Sequence, residues 1–527
     1  MILSHATRSL VLLLLLSISG AAFAQQPPTS GRTATPAAEK KAGFVMPEVS
    51  EQLMQSGSEA EISAKLVELI SLMPESLRSP EGMTIDQLHT LVDTAIALSR
   101  VHEQRFPEGE GRKTWIAGVA RLYVVNNTRF FVSLANAFKE QTGRNMTQEE
   151  MVAQRGAYWD LVIGKLHEAL AVHTEKSPEN LQLLATLGQA CWFSQRYPEA
   201  IGAYQKLLND YPESERRAEF TLALLNAHLS GRSYDVALRH CDDFLKQFPI
   251  DELAPHVYQL KAKALLEAGR AREALVWWQT VIPRLLAGAT GMPVQVGETT
   301  HIFEGEARKS FRRYADEGLF MIGFLHGYLG EFEKAREAFE RALADLNEQG
   351  DGIDPRSAVF RSRTEKVYEA YMTLVEKEVP NFDIEFWLDS IPFDTAQEQG
   401  NVQVLAFLPY ENPRYYEFLA ILQNLYTDHW HEGLRITWLA DPKGFNDTAG
   451  QIPRLSAQRE SVALGFPIGL ETERGWPNFR KFQASVGGGT LIVVNRAGEV
   501  VWYKMDPTYR DENLVKGLVR RLLDETP

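Results

Sequence analysis

A regular repeat in the middle of the chain restricts its fold more than any other feature of the sequence. The pairs Glu199-Ala200, Val236-Ala237 and Glu273-Ala274 each open the second half of a helical pattern, and their alanines are spaced 37 residues apart. From about residue 48 to residue 376, apolar residues recur with the spacing of amphipathic helices. This fixed period predicts helical hairpins that stack on their neighbours, because a single hairpin cannot bury its own apolar face.

The first repeat carries the residues that a tight helical hairpin needs. Gly188 and Ala200 are small enough for two antiparallel helices to approach closely, and Leu184 and Tyr204 fill the space between them. This segment resembles the tetratricopeptide repeat, with Cys191 where the family usually has an aromatic residue. The further matching residues are Leu187, Tyr197, Pro198, Leu207 and Pro212. The resemblance implies an α-solenoid of tetratricopeptide-like helical hairpins.

The spacing of the repeats is interrupted once. Ala335 opens the next second helix 61 residues after Ala274, rather than 37. The extra residues, near 283–309, are rich in glycine and predict a long loop on one face of the array. We interpret residues 181–380 as the tetratricopeptide-like repeats and residues 45–180 as a helical region with degenerate repeats.

The first helices of stacked hairpins line a concave surface on which a partner can bind. The positions that match the groove of tetratricopeptide-repeat proteins hold amide, aromatic and charged side chains, which suit an extended peptide or protein partner. The predicted groove residues are Gln182, Gln189, Trp192, Asn226, His256, Lys263, Phe324 and Tyr328. They lack the lysine, asparagine and arginine pattern of the family members that clamp a carboxylate. The alternative is that Trp192, Phe320 and Phe324 pack against the insertion or the C-terminal domain.

The apolar period changes after Asn381 from that of helices toward two, which indicates β-strands. Strand-like runs begin at Val402, Leu434, Thr490 and Val500, and helical stretches separate the first three runs. A turn at residues 495–498 joins the last two runs. This alternation predicts a three-layer α/β domain with a mixed sheet over residues 381–527.

This C-terminal region resembles thioredoxin-like domains, especially those of periplasmic thiol-disulfide reductases. The hairpin around Thr490 to Val500 matches well, but Asn412-Pro413-Arg414-Tyr415 stands in place of the family's C-P-x-C motif, and Gly489 replaces its cis-proline. Thiol exchange needs a thiolate at a helix N-terminus and a second thiol. The resemblance therefore implies a redox-inactive domain. The alternative is an enzyme or ligand-binding protein that uses the degenerate site (Asn412, Pro413, Arg414, Tyr415 and Gly489) for non-thiol chemistry.

The composition excludes several classes of site. Cys191 and Cys241 are the only cysteines, too few for a disulfide framework or a four-cysteine zinc site, and we expect two buried thiols. The histidines of Asp428–Glu432 are two residues apart and would face different directions on a helix, so we predict no metal site and no cofactor. The formal net charge of −14 argues against nucleic acid as the main partner.

The first residues have the pattern of a secretory signal. Arg8 precedes the apolar run at residues 11–16, and Ala22-Phe23-Ala24 has the form of a bacterial cleavage site. The run is shorter than the ~20 residues that span a bilayer, so we interpret residues 1–24 as a cleaved signal peptide rather than a retained anchor. Residues 25–44 lack apolar periodicity and are interpreted as a flexible linker.

These features favour a periplasmic scaffold or binding protein over an enzyme. The helical-repeat groove would hold a protein or peptide partner, and the mature chain would have no transmembrane segment. The absence of a C-x-x-C motif makes thiol-disulfide oxidoreductase activity an unfavoured function.

Overall fold

The computed structural model contains two compact units. It describes residues 47–72, 85–125, 127–144, 146, 148–296, 298–348, 355–384, 386–388, 392–409, 415–441, 448–471, 476–485 and 488–525. The predicted signal peptide and linker lie outside these residues. The first unit ends at Gly231, and the second runs from Arg232 to the C-terminus. The boundary between the units therefore falls inside the repeat array, whereas the change of sequence period lies near residue 381.

The described part of the first unit consists of helices. They are α1 (Glu51–Ser56), α2 (Glu59–Ser71), α3 (Ile85–Arg105), α4 (Arg112–Val125), α5 (Asn127–Thr142), α6 (Gln148–Val172), α7 (Pro178–Phe193), α8 (Tyr197–Asp210) and α9 (Arg217–Ser230). Trp115, Trp159 and Leu166 belong to one apolar core that continues into α7 and α8. The sequence prediction of a helical region before the first clear repeat is thus consistent with the structure.

The hairpin of α7 and α8 shows how the repeat sequence determines local structure. Ser177 caps α7 by accepting a hydrogen bond from the Asn180 amide at 3.1 Å, and Pro178 occupies the first turn, where its missing N–H is not needed. A Cβ atom on Gly188 would lie 2.6 Å from the Tyr204 ring, so only glycine permits this approach of the two helices. Ala200 is fully buried at the same contact. The predicted steric roles of these residues are confirmed.

The second unit begins with the remaining repeat helices. They are α10 (Tyr234–Gln247), α11 (Ala254–Glu267), α12 (Ala271–Thr290), α13 (Gly305–Tyr328), α14 (Phe332–Glu348) and α15 (Pro355–Thr373). Between α12 and α13 lies a short antiparallel hairpin of β1 (Val294–Val296) and β2 (Thr299–His301).

The insertion near residues 283–309 is not the long loop that the glycine content predicts. Helix α12 instead continues past Pro283 to Thr290 and ends at Gly291, which has the left-handed conformation of a helix C-cap. Its last turns stay helical because Leu285 and Ala289 are buried, and Gly288 lies against the ring of Phe311. Residues 283–290 therefore extend α12 and residues 305–309 begin α13, and the β1–β2 hairpin lies between them.

The second unit ends in a mixed six-stranded sheet. Its strands are β3 (Phe386–Trp387), β4 (Val402–Pro409), β5 (Leu434–Asp441), β6 (Ile468–Leu470), β7 (Thr490–Val494) and β8 (Val500–Met505), in the order β3-β6-β5-β4-β7-β8. Strand β4 is parallel to β5 and antiparallel to β7. The accompanying helices are α16 (Tyr416–His429), α17 (Thr448–Val462), α18 (Pro477–Lys481) and α19 (Glu512–Asp524).

Helices cover both faces of this sheet. On one face, Phe407 of β4 contacts Phe479 of α18, with ring centroids 5.1 Å apart. On the other face, Trp502 of β8 is fully buried against a repeat helix. The predicted fold class, an α-solenoid of helical hairpins followed by a three-layer α/β domain with a mixed sheet, is confirmed. The sequence analysis missed β3 and β6, since each is only two or three residues long.

In the part of the chain that the structure describes, no helix is long and apolar enough to cross a membrane. Cys191 and Cys241 are both buried free thiols, as predicted. Burial raises the pKa of the Cys191 thiol to about 12 and raises that of Cys241 further. Neither cysteine is a reactive thiolate at neutral pH.

Candidate functional site

The groove residues of the first unit form a half-buried polar surface. Gln182 accepts a hydrogen bond from Arg216 at 3.2 Å, and Trp192 donates its indole N–H to Ser230 at 3.1 Å. Asn226 donates to the carbonyl of Leu222 in its own helix at 3.0 Å. All of these groove side chains, and Gln189, remain partly exposed. They can therefore contact a partner without opening the core.

The groove residues at the end of α13 have an intramolecular partner. Phe324 is 4% exposed and Tyr328 is 7% exposed, and the centroids of both rings lie less than 6 Å from that of Trp502, at 5.7 and 5.8 Å. The Tyr328 hydroxyl donates to the Leu514 carbonyl at 3.2 Å, and Arg521 donates to the Tyr328 carbonyl at 2.8 Å. The expectation that Phe324 and Tyr328 face a partner must be corrected, since the sheet domain covers both.

The chain between α15 and the sheet continues this junction. The Glu376 amide donates to the Val500 carbonyl at 2.9 Å, and the Val500 amide donates to the Lys377 carbonyl at 3.0 Å. The residues that follow the last repeat helix thus form backbone hydrogen bonds along the free edge of β8. This explains why the later repeats and the sheet share one compact unit.

A cluster of half-buried charged side chains lies on the same face of the repeat helices, before the covered aromatic residues. We define the charged recess as Gln259 and Lys263 of α11, Arg313 and Glu317 of α13, and Arg363 of α15. Gln259 donates to the Glu317 carboxylate at 2.8 Å. The cations Arg363, Lys263 and Arg313 all interact electrostatically with Glu317. One carboxylate is thus surrounded by three cations.

Burial controls protonation in this recess. It raises the pKa of Glu317, although Gln259 and the three cations oppose the rise. It also lowers the pKa of Lys263 to about 8, with Arg510 adding to the decrease. His256, at one side of the recess, is 6% exposed and has a pKa lowered to about 3 by burial, with Lys263 and Arg313 as smaller causes. His256 is therefore neutral at physiological pH, and such clusters of perturbed groups are typical of functional sites.

Sequence reasoning found Lys263, and His256 beside it, but missed the other members of the recess. Gln259 lies one helical turn from both, so their shared face was a signal that could have included it. Glu317 and Arg313 lie one and two turns before Phe320 on α13, but the interrupted repeat spacing obscured the register of that helix. No motif in the sequence links Arg363 to them.

The degenerate thioredoxin-like site is filled by a tyrosine. Tyr415, at the position predicted to match the second cysteine of the C-P-x-C motif, is 1% exposed, and its hydroxyl donates to the Gly488 carbonyl. Gly489 has a φ of +76°, and a Cβ atom there would lie 2.9 Å from the Tyr415 hydroxyl oxygen. Glycine is needed here for both reasons. The predicted residues Asn412, Pro413 and Arg414 lie outside the described residues.

The described residues contain no group of three or more histidine, cysteine, aspartate or glutamate side chains that could hold a metal ion. In the segment Asp428–Glu432, His429 hydrogen-bonds to Glu432 at 2.8 Å, and His431 lies 3.7 Å from the same carboxylate. Since His431 is 60% exposed, these are surface contacts rather than a built site.

A family model of the tetratricopeptide repeat matches residues 187–214. This segment comprises the end of α7 and the whole of α8. Repeats of this kind typically present surfaces for protein–protein interaction. The match therefore supports the assignment of the repeat hairpin, and protein binding is the general role that accompanies it.

Part of the chain is similar to several solved structures. A thiol-disulfide isomerase from Corynebacterium glutamicum is 14% identical, over 29% of this chain and 98% of that one, with a TM-score of 0.26. A thioredoxin-family thiol:disulfide interchange protein from Chlorobium tepidum is 18% identical, over 28% and 97%, with a TM-score of 0.24. The thioredoxin domain of a Bacteroides vulgatus thiol-disulfide oxidoreductase is 11% identical, over 28% and 97%, with a TM-score of 0.24. No curated protein sequence matches the chain.

Proposed function

We propose that this protein is a periplasmic scaffold that binds a peptide or protein partner on its helical repeats and has a redox-inactive thioredoxin-like domain. The observation that carries the proposal is the position of Tyr415. A buried phenol occupies the place of a thiol, and its hydroxyl is used in a hydrogen bond to Gly488. Both cysteines of the chain lie in the repeats, where burial keeps them protonated.

The filled site also disfavours the alternative of non-thiol chemistry at this position. A substrate would have to displace the Tyr415 ring, which has almost no exposed surface and lies directly against Gly489. Replacement of Tyr415 by alanine would open the site. If that variant gains or loses turnover of a small-molecule substrate while partner binding is unchanged, the enzyme hypothesis is favoured.

Insulin disulfide reduction in the presence of dithiothreitol tests the redox part of the proposal. We expect the full chain to give the rate of dithiothreitol alone, because thiol exchange requires groups that the domain lacks. The matched control is the double variant Cys191→Ala, Cys241→Ala. A rate above background that disappears in the double variant would contradict the proposal.

Photocrosslinking in cells tests the binding part. A crosslinkable amino acid at Gln189, on the half-buried groove surface, is expected to capture a defined partner. The same amino acid at Arg341, an exposed position on α14, serves as the control. Equal capture at both positions, or capture that persists when Trp192 and Asn226 are replaced, would exclude the groove as the binding surface.

The periplasmic location rests on the targeting pattern of residues 1–24. Cell fractionation followed by N-terminal sequencing is expected to find the protein in the periplasm with Gln25 as its first residue. Recovery in the cytoplasm with an intact N-terminus would refute this part of the proposal.

A further inference from the structure

The charged recess has more cationic side chains than the molecule itself neutralises. Among the residues that the structure describes, Nε and Nη1 of Arg313 and Nε of Arg363 are buried without a hydrogen-bond partner. The Arg363 guanidinium lies over the Phe320 ring, 5.0 Å from its centroid, which orients it without supplying an acceptor. The Lys263 ammonium lies 3.9 Å from the Glu267 carboxylate. Buried donors without acceptors cost free energy that a bound anion would recover.

The other carboxylates near the recess are already engaged. Glu267 lies 3.9 Å from Arg510 as well as from Lys263. Asp316, adjacent to Glu317 in sequence, forms an ion pair with Arg312. Glu317 is therefore the one carboxylate that faces Lys263, Arg313 and Arg363 together within the described residues. This positive excess occurs in a chain whose formal net charge is −14.

A second buried polar group is available beside these cations. Nδ1 of His256 is buried and has no hydrogen-bond partner within the described part of the chain, and the ring stacks on Tyr314 at a centroid distance of 5.5 Å. A neutral imidazole and an unpaired guanidinium on neighbouring helices can together bind a carboxylate and an adjacent backbone amide. The five side chains of the recess are also partly exposed, so an acidic segment on the surface can approach them.

From this geometry we propose that the charged recess binds side-chain carboxylates of an acidic segment in the partner protein. Arg313 and Arg363 donate to the incoming carboxylates, and Lys263 contributes a screened positive charge. Glu317 competes with the ligand for the same cations and holds them in place when the groove is empty. This inference rests on the proposed partner binding by the repeat groove, and it specifies the chemistry of the segment that is bound.

Fluorescence anisotropy with the full chain tests this inference. The probe is a labelled glutamate-rich peptide whose ends are acetylated and amidated, titrated at low ionic strength. Arg313→Gln and Arg363→Gln are each expected to weaken binding about tenfold, since each removes a charge-assisted hydrogen bond. Glu317→Gln is expected to tighten binding several-fold. Arg341→Gln removes an equal charge from an exposed position on α14 and is expected to have no effect.

Three further probes distinguish the sources of the anion. The glutamine counterpart of the peptide tests charge, the same counterpart with a free C-terminus tests a terminal carboxylate, and inorganic phosphate tests a small anion. The inference would be overturned if the glutamine peptide, with blocked ends or with a free C-terminus, or inorganic phosphate bound as tightly as the glutamate-rich peptide. So would an Arg341→Gln effect as large as that of Arg363→Gln. Thermal unfolding identifies any arginine variant that fails to fold. In that case the tighter peptide binding expected for Glu317→Gln is the measurement that decides.

Failure of this inference can be distinguished from failure of the proposed function. If the acidic peptide does not bind but Gln189 still captures a partner in cells, the groove functions and the ligand chemistry is wrong. If Gln189 captures no partner and the acidic peptide still binds, the recess is an anion site without the proposed scaffold role.

Discussion

The first helices of the repeats present two different surfaces in the two units of this protein. In the first unit, Gln189 and Trp192 remain half-buried, and the surface stays polar and accessible. In the second unit, the corresponding surface at the end of α13 is aromatic, and Trp502 of the sheet covers Phe324 and Tyr328. The same position in a helical repeat can therefore be a binding surface or part of a core. The residues that decide between the two lie far away along the chain.

The comparison also separates two kinds of polar group. The first unit offers amides and an indole, which do not titrate, whereas the second unit offers His256, Lys263 and Glu317, whose pKa values are shifted by burial. Changes in pH are thus expected to act on the groove of the second unit more than on that of the first. We make four predictions that test these differences in pH response and in packing.

Removal of the covering ring is expected to have the largest effect. Trp502→Ala deletes a fully buried side chain that contacts both Phe324 and Tyr328, and we expect a loss of about 3–5 kcal/mol in the free energy of unfolding. Urea titration measures the change. Trp430→Ala is the control, because Trp430 is 53% exposed. Similar losses in the two variants would show that the sheet does not stabilise the repeat surface.

Acid is expected to destabilise the second unit through His256. Its pKa is about 3 in the folded protein and near 6.5 when unfolded, so only the unfolded chain takes up a proton as pH falls through that window. For each unit that the pH falls between 6.5 and 3, His256 therefore lowers the free energy of unfolding by about 1 kcal/mol. His256→Gln is expected to flatten the decline in stability between pH 6.5 and 3, and the exposed His431→Gln is expected to leave it unchanged. A decline of equal slope in both variants contradicts the assignment.

In the first unit, helix packing is expected to respond to a single methyl group. Gly188→Ala places a Cβ atom 2.6 Å from the Tyr204 ring, and we expect a loss of about 1–3 kcal/mol. Gly202, on the partner helix of the same hairpin, has nothing within 4 Å of an added Cβ. Gly202→Ala is therefore expected to stabilise the protein by about 0.5–1 kcal/mol. Thermal and urea unfolding measure the change in stability of each variant. Two changes in the same direction would refute the packing argument.

The smallest effect concerns the filled thioredoxin-like site. Tyr415→Phe keeps the ring against Gly489 but removes the hydroxyl that donates to Gly488, for an expected loss of about 1 kcal/mol. Tyr503→Phe is a suitable comparison, because the Tyr503 hydroxyl likewise donates to a backbone carbonyl, that of Gln483. A Tyr415→Phe protein of unchanged stability would indicate that the site is less tightly closed than the geometry implies.

Much of the fold could be predicted because it depends on short-range patterns. The 37-residue spacing, Gly188 opposite Tyr204 and Pro178 at a helix start act within one hairpin or one turn, and each was readable directly. The absence of thiols from the thioredoxin-like region was likewise visible in the residue types. The insertion was misread in part, because Gly288, which suggested a loop, is packed in a helix against Phe311 of α13.

The candidate site was less predictable, since its members come from separate helices. By itself, the sequence determined the repeat architecture, the α/β class of the C-terminal domain and the helix face on which His256 and Lys263 lie, because the spacing of apolar residues is a local property. Only the tertiary structure decided that Trp502 covers Phe324 and Tyr328, that Tyr415 fills the degenerate site, and that Arg313 and Arg363 meet around Glu317. Those contacts join residues distant in the chain, and which of them form depends on how all the elements pack.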